Sequence, residues 1–519
     1  MEKLTWILFS ITLSLCACDG YKILTIFPIA SKSHGILGEN MVKHLLDAGH
    51  EVTYVTPYIK NETHPKLHIV DVSHNLKIFN DDLMDVKMIM DGKISFNDPD
   101  FIFKIMHNIT AGTIENPNIQ TMMRTQKFDV VIGEYMFSDL YSSFGAVFQC
   151  PFIWFSTIEP HWMILRLVDG PLNPAYSSDY THGIVAPYSF SNRIRELWTL
   201  FYGLIQNSRT YYNMQDSAYQ RLIAPAIKEQ GRPVPLFEDL RYNASLILGN
   251  SQVAIGDAVA LPQNYKHIGG YHIDDVVKPL PENLQKLMES NKNGVIYFSM
   301  GSNLKSKDLP NELKRGLLDV FGGLKQTVIW KFEEVLPDLP KNVHIVHWAP
   351  QHSILAHPNL VLFITHGGLL SVTETVYFGV PIICIPVFAD QFQNANRAEA
   401  KGYGKKIDLS YTMHKDLKPA LEEVLGNPRY AAAAKELSIA IRDRQHKPKE
   451  DILFWVEHVV RTRGAPHLRS IALRMPLYQR LYLDLAAIVL LGLIVVILIG
   501  SRILCLLTAK KSKTKVKKN

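Results

Sequence analysis

The stretch LVLFITHGGLLSVTE, residues 360–374, decides the fold. Its first five residues, Leu360 to Ile364, form a short apolar run with the length of a buried strand. Thr365, His366, Gly367 and Gly368 interrupt that run, and a helix opens near Leu369. A strand that passes through bare glycines into a helix marks the carboxyl edge of an open α/β sheet, where such sheets bind their ligands. Gly367 and Gly368 let backbone amides come close to a ligand. The helix aims its free N–H groups and the positive end of its dipole at the same point, which suits phosphate. His366 and Ser371 add hydrogen-bonding groups, and Glu374, one turn on, carries carboxylate oxygens suited to a ribose diol. Alone, a double glycine between strand and helix is more often a plain turn, so its neighbours decide.

Before it stands Trp348-Ala349-Pro350-Gln351, an indole for stacking a base and an amide for hydrogen bonding. After it, Asp390-Gln391 follows the strand-like run 382–386 and offers acceptors for sugar hydroxyls. Ser299-Met300-Gly301-Ser302 closes an earlier strand, 295–299, with a second Gly/Ser turn. Base, diphosphate and sugar thus each have a candidate at a strand end.

Strand-like and helix-like stretches alternate along the whole chain, as in an α/β protein with parallel sheets. Strands are expected over 22–29, 51–55, 128–132 and 152–155. The pattern breaks at the Pro-containing linker 276–281 and restarts over 295–299, 326–332, 343–347, 361–365 and 382–386. A helix is expected over 36–48, where Leu37, Met41 and Leu45 recur at helical spacing, with His34 at its mouth and Gly49 at its end. Asp98-Pro99-Asp100, a triplet of the kind metal-dependent glycosyl transfer uses, is read as a loop far from the diphosphate set.

At 519 residues, the chain is long enough for two domains. Its 55 basic and 49 acidic side chains give +6, but the last twelve residues hold six lysines and no acid. The basic balance therefore belongs to a tail, and no nucleic acid partner is expected. Residues 485–507 are apolar with one charge, Arg502, enough to span a bilayer as helix, and the lysines that follow place the tail in the cytosol. An apolar run over 4–15 before Cys16-Ala17-Cys18 reads as a secretory signal. Lys515 and Lys517, third and fifth from the end, resemble a dilysine retrieval signal of the endoplasmic reticulum. Of five cysteines only Cys150 and Cys384 remain lumenal, too few for a disulfide framework or a cysteine metal site. Asn61, Asn108 and Asn243 head glycosylation sequons.

Residues 348–391, WAPQHSILAHPNLVLFITHGGLLSVTETVYFGVPIICIPVFADQ, resemble the signature of the UDP-glycosyltransferase (UDP-glucuronosyltransferase) family, and HGGLLS resembles its membrane-anchored insect branch. The resemblance implies a GT-B fold: two Rossmann-like domains facing a cleft, plus a C-terminal transmembrane helix. It implies a signal peptide over 1–18, an acceptor-binding domain over 19–275, a linker over 276–281 and a UDP-sugar-binding domain over 282–446. An amphipathic segment over 447–483, a transmembrane helix over 484–507 and a cytosolic tail over 508–519 complete the chain. Trp348 and Gln351 would face uracil, Glu374 the ribose, and Asp390 and Gln391 the sugar. Ser302, His366, Gly368 and Ser371 would serve the diphosphate, with Ser299, Gly301, Lys331 and Gly367 completing the donor side. The partners would be a UDP-sugar and a small lipophilic acceptor, with no metal or other cofactor. A homo-oligomer stays open.

The family's catalytic histidine matches His34 in Ser33-His34-Gly35. An acceptor hydroxyl is a poor nucleophile at neutral pH, and an imidazole can take its proton. A carboxylate must orient that imidazole and stabilise its charged form. The matching position is Glu134, with Asp139 as the alternative. Leu370 stands where vertebrate members carry Asn, Lys331 where they carry Arg, and Gly249 near a basic position associated with glucuronate. The expected reaction is therefore inverting transfer of glucose to a hydroxyl, giving a β-glycoside in detoxifying conjugation. UDP-glucuronate as donor, or a non-catalytic lumenal binder, are the alternatives. No GxGxxG, Walker A, HExxH or GxSxG is present, which disfavours dehydrogenase, NTPase, zinc protease and α/β-hydrolase readings.

Overall fold

The computed structural model describes residues 20–60, 64–78, 85–96, 98–302 and 304–516. The expected signal peptide (1–18), Asn61 and the last three residues of the tail lie outside the described residues. The chain forms two compact units, divided after Arg469.

The first unit contains two parallel sheets. The first comprises β1 (Lys22–Ile26), β2 (Glu51–Thr56), β3 (Leu67–Asp71), β4 (Val130–Tyr135), β5 (Phe152–Ser156), β6 (Leu246–Gly249) and β7 (Tyr265–His267), in the order β3-β2-β1-β4-β5-β6-β7. Between β1 and β2 runs helix α1 (Lys32–Asp47), which buries Leu37, Met41 and Leu45 on the sheet. Gly49, at φ +90°, makes the turn into β2. The helix starts earlier than the apolar spacing predicts, so His34 lies within its first turn. Strand β4 is buried at all six positions and runs on through Glu134, beyond the apolar run read from the sequence. A carboxylate therefore stands inside a central strand.

The second sheet comprises β8 (Val295–Ser299), β9 (Thr327–Lys331), β10 (Val343–Val346), β11 (Leu360–Thr365), β12 (Ile382–Cys384) and β13 (Gly404–Lys406), in the order β10-β9-β8-β11-β12-β13. Helices α2 (Gln351–Leu355), α3 (Leu369–Phe378) and α4 (Gln391–Ala400) begin where three of the predicted binding segments lie. Both sheets carry the doubly wound order, whose direction reverses between β1 and β4 and between β8 and β11.

Helix α5 (Pro448–Arg461) returns to the first sheet. Its Ile452, Val456 and Val459 are fully buried in one cluster with Ile23, Val52 and Leu246, so the amphipathic segment begins as core. Of the triplet expected in a loop, Asp98 stands just ahead of a helix, and Pro99 and Asp100 open that helix. The Asp98 carboxylate caps helix Pro99–Glu115 by accepting from the Asp100 and Phe101 amides at 3.0 and 3.4 Å, with Pro99 in the first turn. Asn108 is exposed midway along that helix, and Asn243 is exposed just before β6. In the second unit, helix α6 (Leu483–Val516) includes 26 residues, Leu483–Thr508, long and apolar enough to cross a membrane.

Candidate active site

The two points where strand order reverses contribute to one cleft of about 900 Å³. From the first sheet it takes Ser33 and His34, and from the second Ser299, Gly301, Ser302, His366, Gly368, Ser371 and Glu374. Lys331, Trp348, Gln351, Asp390 and Gln391 also line it. That volume lies in the range of ligand-binding clefts.

His34 projects from the first turn of α1, and its Nδ1–H donates to Glu134 Oε1 at 2.5 Å. Glu134 is buried behind it, and its second oxygen makes no hydrogen bond among the described residues. With Nδ1 committed to the carboxylate, Nε2 is left as the acceptor, the arrangement a general base requires. Asp139, the alternative partner, does not take this place. It is fully buried between two guanidiniums, accepting from Arg166 Nη2 at 2.8 Å and from Arg241 Nε at 2.8 Å. Burial would raise its carboxyl pKa, but the two arginines outweigh this and hold it below the usual carboxylate range. Phe137, at φ +58°, turns the chain between the two acids, so they serve different neighbours.

On the second sheet, Gln351 opens α2 and donates to Glu374 Oε2 at 2.6 Å and to Ser371 Oγ at 3.3 Å. Glu374 is buried on α3. Burial raises its pKa, but His272 and His352 beside it more than compensate and hold it at about 2. Trp348 is 61% exposed, and the Lys32 and Lys331 ammoniums lie 5.3 and 5.8 Å from its ring centre. This free indole face can stack a base. Lys331 Nζ donates to the Gly301 carbonyl at 2.6 Å, fixing the turn after β8, and the Gly301 amide donates to Ser299 Oγ at 3.2 Å. Gly301 needs φ +83°, and a Cβ there would stand 2.5 Å from the His366 ring. A Cβ on Gly368 would meet the same ring at 2.5 Å, so both glycines make room for the imidazole. Burial, and then Lys331, lower the His366 pKa to about 4, leaving it a neutral hydrogen-bonding group.

Gly367 does not line the cleft. Its amide donates to Thr365 Oγ1 at 3.4 Å and its carbonyl accepts from Asn394 at 3.0 Å. At φ +81° it makes the turn. The free amides that face a ligand are those of the first turn of α3, from Leu369 to Ser371. Asp390 precedes α4 and accepts from Asn394 at 2.8 Å, and burial pushes its carboxyl up to about 6. Ala389 before it takes φ +54°, a strained conformation for alanine that aims the Asp390 segment at the cleft. Gln391 turns its Oε1 inward, accepting from the Val387 and Phe388 amides at 2.8 and 3.2 Å.

Of the apolar residues Trp154, Phe155, Trp162 and Met163 in the first half of the chain, none lines the cleft. Trp154 and Phe155 are fully buried in core, and Met163 packs against it. The apolar end of the cleft is instead Phe96, Ile102, Met106, Met136, Phe137 and Phe388. Sequence reading also missed Thr157, Tyr180, His272 and His352, all lining the cleft. Their only signal was composition in loops and helix turns, which carries no direction. Leu370 lines the cleft and packs against the cluster under the first sheet, joining the two halves.

The family model "UDP-glucoronosyl and UDP-glucosyl transferase" matches residues 22–519. UDP-glycosyltransferase UGT5 of Dactylopius coccus is 32% identical over 504 residues, covering 94% of this chain and 93% of that protein. UDP-glucosyltransferase 2 of the same insect is 31% identical over 481 residues, covering 92% of this chain and 91% of that protein. Among solved structures, a UDP-glucosyltransferase from Polygonum tinctorium superposes with a TM-score of 0.56 at 14% identity, covering 86% of this chain and 100% of that one. That likeness speaks to the fold, which is GT-B.

Proposed function

The chain belongs to the UDP-glycosyltransferase family, and on that premise we propose that it transfers glucose from UDP-glucose to a hydroxyl of a small lipophilic acceptor, with inversion. The observation that carries this reading is the single cleft shared by the His34–Glu134 pair and the Gln351, Glu374 and Asp390 side chains. Uracil stacks on Trp348 beside Gln351, the ribose diol meets Glu374, and the diphosphate meets the first amides of α3. His34 Nε2 takes the acceptor's proton as its oxygen bonds to the anomeric carbon from the face opposite UDP. The bond to the UDP oxygen breaks, and that charge develops at the α3 amides. Glu134 stabilises the imidazolium formed. Phe96, Met106, Met136 and Phe137 give the acceptor an apolar bed. No metal is needed for this step.

Glucose is favoured over glucuronate by charge. The sugar end offers Asp390 and Gln391, and an anionic sugar there would face a carboxylate. Among the lysines lining the cleft, Lys331 is held on the Gly301 carbonyl, Lys43 and Lys60 pair with Asp274 and Glu39, and the backbone carbonyl of Lys278 accepts from Ser353, beside Gln351 and away from Asp390 in sequence. Gly249 offers no place for a basic side chain, because a Cβ there would stand 2.0 Å from the Tyr265 hydroxyl. A buried unpaired carboxylate is unfavourable by roughly several kcal/mol. Helix α6 anchors the chain in the endoplasmic reticulum membrane, with the cleft lumenal. Microsomes assayed with labelled UDP-glucose and UDP-glucuronate in competition, against phenols, flavonoids and steroids, test the donor. Efficient turnover of UDP-glucuronate with none of UDP-glucose overturns it. His34→Ala is expected to abolish transfer while UDP still binds.

A further inference from the structure

We propose that His272, His352 and Glu374 form a three-ligand site for a divalent transition metal, zinc by its donor set, whose occupation blocks the nucleotide end of the cleft. The three side chains come from the loop after β7, from α2 and from α3, and all three line the cleft. His272 Nε2 lies 3.3 Å and His352 Nε2 3.2 Å from the same oxygen, Glu374 Oε1, and the three donor atoms fall within 4.8 Å of one another. Zinc bonds to nitrogen and oxygen are about 2.0–2.2 Å, so a tetrahedral ion separates its ligand atoms by about 3.3–3.5 Å. The two nitrogen–oxygen spacings match that edge length, and the two imidazoles must draw together only within the 4.8 Å that spans the set.

A second observation points the same way. His272 is 2% exposed, and neither of its ring nitrogens makes a hydrogen bond among the described residues. Nε2 has only the Glu374 oxygen at 3.3 Å beside it, short of a hydrogen bond, and coordination would satisfy it more fully. Two imidazoles and one carboxylate suit zinc rather than calcium or magnesium, which prefer all-oxygen sites. Three protein ligands leave a fourth position open toward the cleft. Gln351 already holds the other carboxylate oxygen of Glu374, a support that orients the ligand and leaves Oε1 for the ion.

Occupation has a definite consequence. The ion takes the carboxylate that the proposed function gives to the ribose, so metal and UDP-sugar exclude each other. It also ties the loop just before the 276–281 linker to the donor-side helices. The ion is thus an inhibitor of transfer and has no part in the chemistry. This competition rests on the proposed function, whereas metal binding itself does not.

The test uses the full chain, stripped of metal, in detergent. Exposed His458 and His467 lie 3.2 Å apart and could bind metal themselves, so His458→Gln is introduced throughout. Cobalt(II) titration should give the intense visible absorption of a tetrahedral site, discharged by one equivalent of zinc. His272→Gln and His352→Gln should each weaken zinc binding about 100-fold or more, since loss of even an outer-shell partner weakens binding by about 10–100-fold. His352 is half-exposed, so its variant serves if His272→Gln does not fold. UDP alone should raise the apparent zinc dissociation constant in proportion to its concentration. Zinc affinity unchanged in both variants, or cobalt showing only the weak absorption of an octahedral ion, overturns the site. Zinc affinity indifferent to saturating UDP overturns the competition. A failed metal site leaves UDP binding and transfer intact, whereas a failed transferase reading leaves the cobalt spectrum intact.

Discussion

Glu134→Gln is the most searching perturbation of the proposed chemistry, because it removes one charge and almost no volume. The carboxylate lies 2.5 Å from His34 Nδ1 and is buried, so water does not replace it. With charge centres about 4 Å apart and an effective dielectric near 20, its attraction for the imidazolium is about 4 kcal/mol. That attraction exists only once the proton has moved, so it enters the barrier and not ground-state binding. At 1.36 kcal/mol per decade, kcat should fall by about 10³, with the donor KM little changed. The amide can also donate to Nδ1 and hold the imidazole in the wrong tautomer, which adds to the loss. Steady-state rates with UDP-glucose and a phenolic acceptor measure this, with UDP affinity and thermal unfolding as checks that the variant is folded. A folded Glu134→Gln protein whose kcat stays within tenfold of the parent refutes the assignment of Glu134 as the group that stabilises the histidine.

Three further outcomes are expected. Trp348→Ala removes an exposed indole, so the melting temperature should hold while donor KM rises roughly tenfold, in line with base–aromatic stacking of about 1–3 kcal/mol. Asp390 has its carboxyl raised by burial from 3.8 to about 6, so the folded state holds that proton more tightly than the unfolded one. Ionised Asp390 therefore lowers stability as pH rises from about 4 to 6, and Asp390→Asn should be more stable at pH 7 by up to about 3 kcal/mol in urea unfolding. In the parent, donor KM should rise as pH falls through about 6, and that limb should vanish in Asp390→Asn. Asp139→Asn leaves the buried Arg166 without its anion and Arg241 with only the half-exposed Glu238, and should destabilise the first unit by about 3–5 kcal/mol in the same assay, while the acid limb of kcat keeps its position.

Periodicity and turn chemistry made the central strands legible: 295–299 and 360–365 are apolar on both faces, as strands in the middle of a parallel sheet must be. The edges were not. Strand β3 (LHIVD) is half-exposed and β13 is Gly-Lys-Lys, so neither shows an apolar run. Both are strands because a neighbour supplies the hydrogen bonds. The proposed donor side was readable because its residues follow strand ends within a few positions of each other. The apolar end of the cleft was not, because Phe96, Met106 and Met136 come from separate segments whose side-chain directions are set by packing.

The two acids that could pair with His34 show the same limit most sharply. Glu134 and Asp139 are five positions apart in the sequence, and either could have served an imidazole a hundred residues upstream. What separates them is distant. Arg166, 27 residues on, and Arg241, 102 residues on, converge on Asp139 and neutralise it inside the core. Glu134 is pinned by the register of β4, whose Gly133 pairs with Ile26 at the end of β1, just ahead of the helix that carries His34. A carboxylate inside a sheet meets its partner when the register sets it beside the neighbouring strand's end, from which the chain passes to the helix bearing that partner. Sheet register therefore assigns the histidine its carboxylate here, and composition alone could not have done so.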